Sequence, residues 1–310
     1  MNRTERLRTV IAGEQPDRIP VSVWFHFGSE HLPPETVAQL HAAYYRAYGW
    51  DFLKVMFDYR LTMAEAADGH SQPDLEILFA ETDWQAPFAR QRDCLRLLAR
   101  ELGDEVPILE TIYSPWMYLV RHVGRDQTQI LLDNPALTGA ILDRLVAETC
   151  RHIDAVKQLG IFGVYFATVA GQSHPDSPAF ALQAPGDRAV LERASGLARF
   201  LHLHGRHTRL DGVSDYPREV IHCEDRDPTN PTLKDLRNQG NVAIMGGLDH
   251  ADISGMSQAL IQSQIADSLE SAGRAGFLLA PGCSVSPSLS RRTMQGLRSS
   301  RLLGCAAGPS

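Results

Sequence analysis

Two histidines two residues apart, His202 and His204, and one distant cysteine, Cys283, carry the clearest chemical signal in this sequence. They lie in "ARFLHLHGRHTRL" (198–210) and "LLAPGCSV" (278–285). Side chains alternate along a β-strand, so residues two apart share a face. Two imidazoles and one thiolate make a three-ligand set suited to zinc. The coordination position left open is typical of catalytic rather than structural zinc. An H-x-H pair alone is a weak signal, because buried histidines also serve as core filler and exposed ones as part of a basic patch. The cysteine at the rim of another apolar run strengthens the metal reading. His207, close to Arg206 and Arg209, reads as a solvent-facing loop residue.

Further chemistry-bearing residues stand at the ends of other apolar runs: His26, Asp58, Tyr113, Thr168, the triplet His222, Cys223 and Glu224, and Asp249. Asp58, Glu224 and Asp249 are the candidate catalytic acids, placed to take a proton or to orient a histidine ligand. His222 and Glu224 offer further ligand or supporting contacts, whereas Cys223 reads as packing. His26, Tyr113 and Trp116 are candidate substrate contacts. With Trp24, Phe25, Phe27 and Tyr118 they suggest an apolar pocket, although core packing competes for at least half of the aromatic residues.

These residues need a scaffold that gathers strand ends. Eight short apolar runs recur, at 20–25, 51–57, 106–113, 162–168, 200–205, 219–224, 242–248 and 276–282. Their near-continuous apolar character fits strands buried on both faces. Helical periods lie between them, three ending at Gly160, Gly240 and Gly273, as glycine C-caps do. An N-terminal amphipathic helix carries Leu7, Val10 and Ile11 on one side. Eight alternations predict an α/β fold, a (β/α)8 TIM barrel forming a single domain over 1–303, with a flexible tail over 304–310. In such a barrel, function collects at the C-terminal ends of the strands. The stretch 170–188 reads as the least regular segment, a substrate loop or lid over that face.

The bulk properties exclude several classes. The 310 residues carry a net charge of −7, which disfavours a nucleic-acid or anionic-membrane surface. No apolar run approaches the roughly 20 residues of a membrane helix, and the N-terminus lacks a secretory apolar core. The five scattered cysteines form no C-x-x-C pair, so the sequence predicts a reducing, cytoplasmic setting. Cys94 and Cys150 read as small buried hydrophobes, and Cys305 as incidental.

The order of several short motifs resembles the uroporphyrinogen decarboxylase superfamily. They are "ERLRTVIAGEQPDRIPVSVWF", "FGSEHLPPE", "DFLKVMFD", "SPWMYL", "TVAGQS", "MGGLDH" and "LLAPGCSVSP". The resemblance covers roughly residues 4 to 300 and implies a (β/α)8 barrel. It also implies a substrate-binding role for Asp58. The decarboxylase itself uses arginines after the first strand, whereas no Lys or Arg occurs here between Arg18 and Arg46. A histidine typical of decarboxylases is replaced by Cys283. "HLHG" is similar to the H-x-C-G of the zinc-dependent corrinoid/thiol methyltransferases, with a histidine for the first cysteine. That branch implies zinc on His202, His204 and Cys283. It also implies a small substrate such as a thiol, a corrinoid protein as candidate partner and a methyl-transfer reaction. A metal-dependent decarboxylase or lyase is the alternative. The oligomeric state is left open, a homodimer being one option.

Overall fold

The computed structural model describes residues 1–61, 75–124, 128–300 and 303–304. Its strands are β1 (Leu53–Val55), β2 (Ile108–Tyr113), β3 (Gly163–Thr168), β4 (Ala198–Leu203), β5 (Val220–Cys223), β6 (Ala243–Leu248) and β7 (Phe277–Pro281). They form one parallel sheet in sequence order, β1 to β7. Nearly all strand residues are buried, as expected of a parallel sheet covered on both faces. The helices are α1 (Arg3–Ile11), α2 (Pro34–Tyr48), α3 (Leu75–Glu81), α4 (Ala86–Leu102), α5 (Pro115–Val123), α6 (Thr128–Asp133), α7 (Pro135–Gln158), α8 (Pro178–Arg193), α9 (Leu233–Arg237), α10 (Gln258–Ala272) and α11 (Arg291–Arg298).

Seven of the eight expected runs are strands. The run at 20–25 is not a regular strand. It makes one parallel bridge, Val21 to Leu279. The Leu279 N–H donates to the Pro20 carbonyl at 2.9 Å and the Asp51 N–H to the Val21 carbonyl at 3.0 Å. This segment therefore lies between β7 and the lead-in to β1. Pro20 has no N–H to extend the ladder. The sheet is thus a curled, seven-stranded, TIM-barrel-like sheet.

A second correction concerns 170–188. Its latter half is the start of α8, whose N-cap Ser177 accepts from the Phe180 N–H, with Pro178 in the first turn. Pro185 inside the helix disguises the helical period. Of the three helices expected to end at glycine, α10 stops at Gly273 (φ 70°) and α7 is followed, after Leu159, by Gly160 (φ 69°), whereas α9 ends at Arg237 with Asn238 as its C-cap, short of Gly240. Leu7 and Val10 of α1 are fully buried. Cys94 is buried and Cys150 partly exposed. The tail beyond Gly304, with Cys305, lies outside the described residues.

Alternation divides each strand. Glu110 of β2 points outward, where its carboxylate meets Gln91 of α4 at 2.9 Å and His152 of α7 at 2.8 Å. Its neighbours Thr111 and Tyr113 instead line an interior cavity.

A candidate metal centre at the strand ends

The cavity has a volume of about 200 Å³ and opens at the C-terminal ends of the strands, with His202, His204 and Cys283 in its wall. A wider hollow of about 810 Å³ lies at the opposite end, beside Ile108, Phe162 and Ala198. It holds none of the candidate ligands, and in this architecture the chemistry belongs to the C-terminal face.

Donor atoms of His202, His204, Glu224 and Cys283 all lie within 4.8 Å of one another. The Cys283 Sγ is 3.6 Å from His204 Nδ1, and a Glu224 carboxylate oxygen is 3.7 Å from the same nitrogen. His202 is the decisive member. It is 1% exposed, and both ring nitrogens lack a hydrogen-bond partner. Leaving two polar atoms unpaired in a core is costly, and a metal ion would satisfy one of them. Burial, reinforced by neighbouring His222 and His204, pushes His202 well below its usual range. It is therefore held neutral, the form in which imidazole ligates. Burial, with the charge of Glu224, pushes the Cys283 thiol up to about 11. A thiolate here requires a compensating cation in the cluster. The donor set of two nitrogens, one sulfur and one carboxylate oxygen fits zinc.

The neighbouring strand fixes this geometry. Neutral His222 donates from Nε2 to the Pro281 carbonyl at 3.1 Å, and the Tyr165 hydroxyl donates to its Nδ1 at 2.7 Å. The imidazole of His222 is thereby committed to anchoring the turn that carries Cys283, while packing tilted against His202 at 4.7 Å. Glu224 is held by the Gly205 N–H at 3.0 Å. Cys223 is fully buried and packs.

The other sequence-predicted residues separate. His26 and Asp58 meet, His26 Nδ1 lying 2.6 Å from the Asp58 carboxylate, which also accepts from Ser29 Oγ at 3.0 Å. Burial alone would raise Asp58, but the His26 and Ser29 hydrogen bonds prevail and hold it at about 2. Tyr113 lines the cavity; Trp116 is buried but does not. Asp249 caps the turn after β6, accepting from the Ala251 and Asp252 N–H groups. His207 is exposed in a loop with φ 56°.

Lys54, Arg121 and Tyr165 also line the cavity, and sequence reading missed them. Lys54 is 4% exposed, and burial lowers it to about 7. Its signal was visible as the lone cation inside the apolar run "DFLKVMF".

A family model described as uroporphyrinogen decarboxylase matches residues 71–300. The chain belongs to the uroporphyrinogen decarboxylase family. A curated uroporphyrinogen decarboxylase from Gloeobacter violaceus is 29% identical over 226 residues, which cover 66% of this chain and 62% of that relative. The matched region thus spans under two thirds of the relative's length. A solved methyltransferase from Methanosarcina mazei superposes with a TM-score of 0.73, covering 96% of this chain and 97% of that one at 16% identity. A B12-independent methionine synthase from Shewanella sp. W3-18-1 gives a TM-score of 0.56 at 11% identity, with 91% and 92% of the two chains covered. At such identities the structural likeness is one of fold. Within the family, this chain presents its donor-rich cluster at the sheet's C-terminal mouth. Among the described residues, no helix is long and apolar enough to cross a membrane.

Proposed function

We propose that this chain is a zinc-dependent methyltransferase, moving a methyl group from a donor such as a methylcorrinoid to a small acceptor such as a thiol. The observation that carries this reading is buried His202 with two unpaired ring nitrogens beside three further donors. His202, His204 and Cys283 would hold the metal, with Glu224 as fourth donor in the resting site. Bound there, zinc would supply the positive charge that keeps an acceptor anionic near neutral pH.

The chain's own residues do the rest. His26, with Nδ1 engaged by Asp58, presents Nε2 to take the acceptor's proton. The aromatic wall keeps water from the nucleophile. The acceptor sulfur then forms the new S–C bond, while the methyl–donor bond breaks with its electron pair leaving on the donor. In this reading the 20–25 segment serves as the first stave of a (β/α)8 barrel, whose mouth a corrinoid-carrying partner would face.

Metal analysis of the purified chain tests the proposal, paired with a methylcobalamin assay using 3-mercaptopropionate as acceptor. About one zinc per chain is expected. Cys283→Ala should lose both metal and activity. Absence of zinc, or full activity in Cys283→Ala, overturns the reading.

A decarboxylase or lyase reading draws support from Asp58, an ionised carboxylate held beside the cavity by His26 and Ser29. It requires release of CO2, or of an eliminated fragment, with no methyl donor present.

A further inference from the structure

The cavity wall holds two cationic side chains, Lys54 and Arg121, and no carboxylate. Among the described residues neither makes an ion pair. The acids whose charge reaches Lys54 are Cys283, Asp58 and Glu110, and each has another partner: Cys283 lies 3.6 Å from His204 Nδ1, and Glu110 meets His152 and Gln91. Asp58 is bound by His26 and Ser29. Glu224 is bound by the Gly205 N–H and lies beside His204 and His250.

The Lys54 ammonium has three donors to place. It donates to the Met56 sulfur at 3.2 Å, a weak acceptor. It is held over the rings of Tyr165 at 4.3 Å and Trp24 at 5.4 Å. Arg121 lies on the Tyr113 ring at 4.1 Å. Aromatic faces position a cation without neutralising it. Burial holds Lys54 at about 7, so near neutral pH its charge is only partly present, and an anion placed beside Lys54 and Arg121 favours the ammonium form and offsets its desolvation.

We propose that Lys54 and Arg121 form an anion subsite that takes the carboxylate-class group of a small substrate whose reacting end faces His202, His204 and Cys283. A cavity of about 200 Å³ admits a molecule of only a few carbons, so the charged end and the reacting end belong to the same short chain. This rests on the proposed small-acceptor reading but can be tested apart from it.

The test uses the purified full chain stripped of metal with a chelator. Binding of butyrate is compared with 1-butanol, and of 3-mercaptopropionate with 3-mercapto-1-propanol, by ligand-observed NMR. Each anion is expected to bind about tenfold more tightly than its neutral partner. Lys54→Met and Arg121→Gln should each remove most of that preference and leave neutral-probe binding within about twofold. Arg121 is partly exposed, so Arg121→Gln reports even if the buried Lys54→Met variant does not fold. Equal binding of anion and alcohol in the unsubstituted protein overturns the subsite, as does a preference that survives both substitutions. Butyrate has no thiol and the protein no metal, so a positive result stands even if zinc-dependent methyl transfer fails. Conversely, methyl transfer to the neutral thiol as fast as to the anionic one would keep the reaction and remove the subsite.

Discussion

Asp58 illustrates how a single buried charge is kept ready for chemistry. It is 6% exposed, yet His26 and Ser29 supply enough hydrogen bonding to outweigh desolvation and keep it ionised. Its carboxylate orients the His26 ring through the 2.6 Å contact to Nδ1. Asp58→Asn is nearly isosteric but uncharged. It should lower the rate of methyl transfer from methylcobalamin about 100-fold while zinc content stays at the unsubstituted level. An unchanged rate would remove the His26–Asp58 pair from the mechanism. His202 is the complementary case: on the proposed reading, the buried imidazole without a hydrogen-bond partner is stronger support for a ligand than the H-x-H spacing.

At the scale of elements, the site depends on how closely β5 and the turn after β7 approach. Gly282 sits at that junction. A Cβ there would lie 2.8 Å from the Glu224 Cα and 3.4 Å from its Cβ. The obstacle is backbone, so Gly282→Ala must drive the two elements apart, at a cost of about 1–3 kcal/mol. That displacement moves Glu224 and Cys283 relative to the histidine pair. The variant should still fold, with a lowered Tm and zinc affinity reduced about tenfold, within the range expected for disturbed metal-site support. Titration against a zinc-competing chelator measures this; unaltered affinity would show that the junction does not set the ligand geometry.

Across the whole molecule, the buried polar groups tie sheet to helices and make stability depend on pH. Asp187 of α8 accepts from Thr168 at the end of β3 at 2.6 Å and from Tyr216 at 3.3 Å. Burial raises it to about 7 despite these hydrogen bonds. In the unfolded chain the same carboxyl ionises near 4. Between about pH 4 and pH 7 the folded protein keeps a proton that the unfolded chain has lost, so this group's contribution to stability falls as pH rises, by at most about 1.4 kcal/mol per pH unit. Asp187→Asn should flatten that slope. Urea unfolding at pH 5 and pH 7 compares the two proteins, and parallel losses would mean that Asp187 is ionised in the fold.

The alternation of apolar runs with helical periods made the α/β class legible. Seven of the runs became strands because their β-branched, two-faced apolar character suits only a covered parallel sheet. The H-x-H pair and Cys283 were legible too, since ligand types at strand ends are a local property. Other features were not. The 20–25 run looks like a strand locally, but its pairing depends on Pro20 and on which neighbours reach it. Pro185 hid the latter part of 170–188, where N-cap and tertiary packing favour helix. Lys54 is one residue in an apolar stretch, and only the curvature of the sheet turns it towards Arg121 and the histidines. The sequence by itself determined the α/β class and which potential donor types stand at the strand ends. Tertiary structure alone decided which donors share a cavity, because residues as distant as His202 and Cys283 meet only when the sheet curls and brings their strand ends to one mouth.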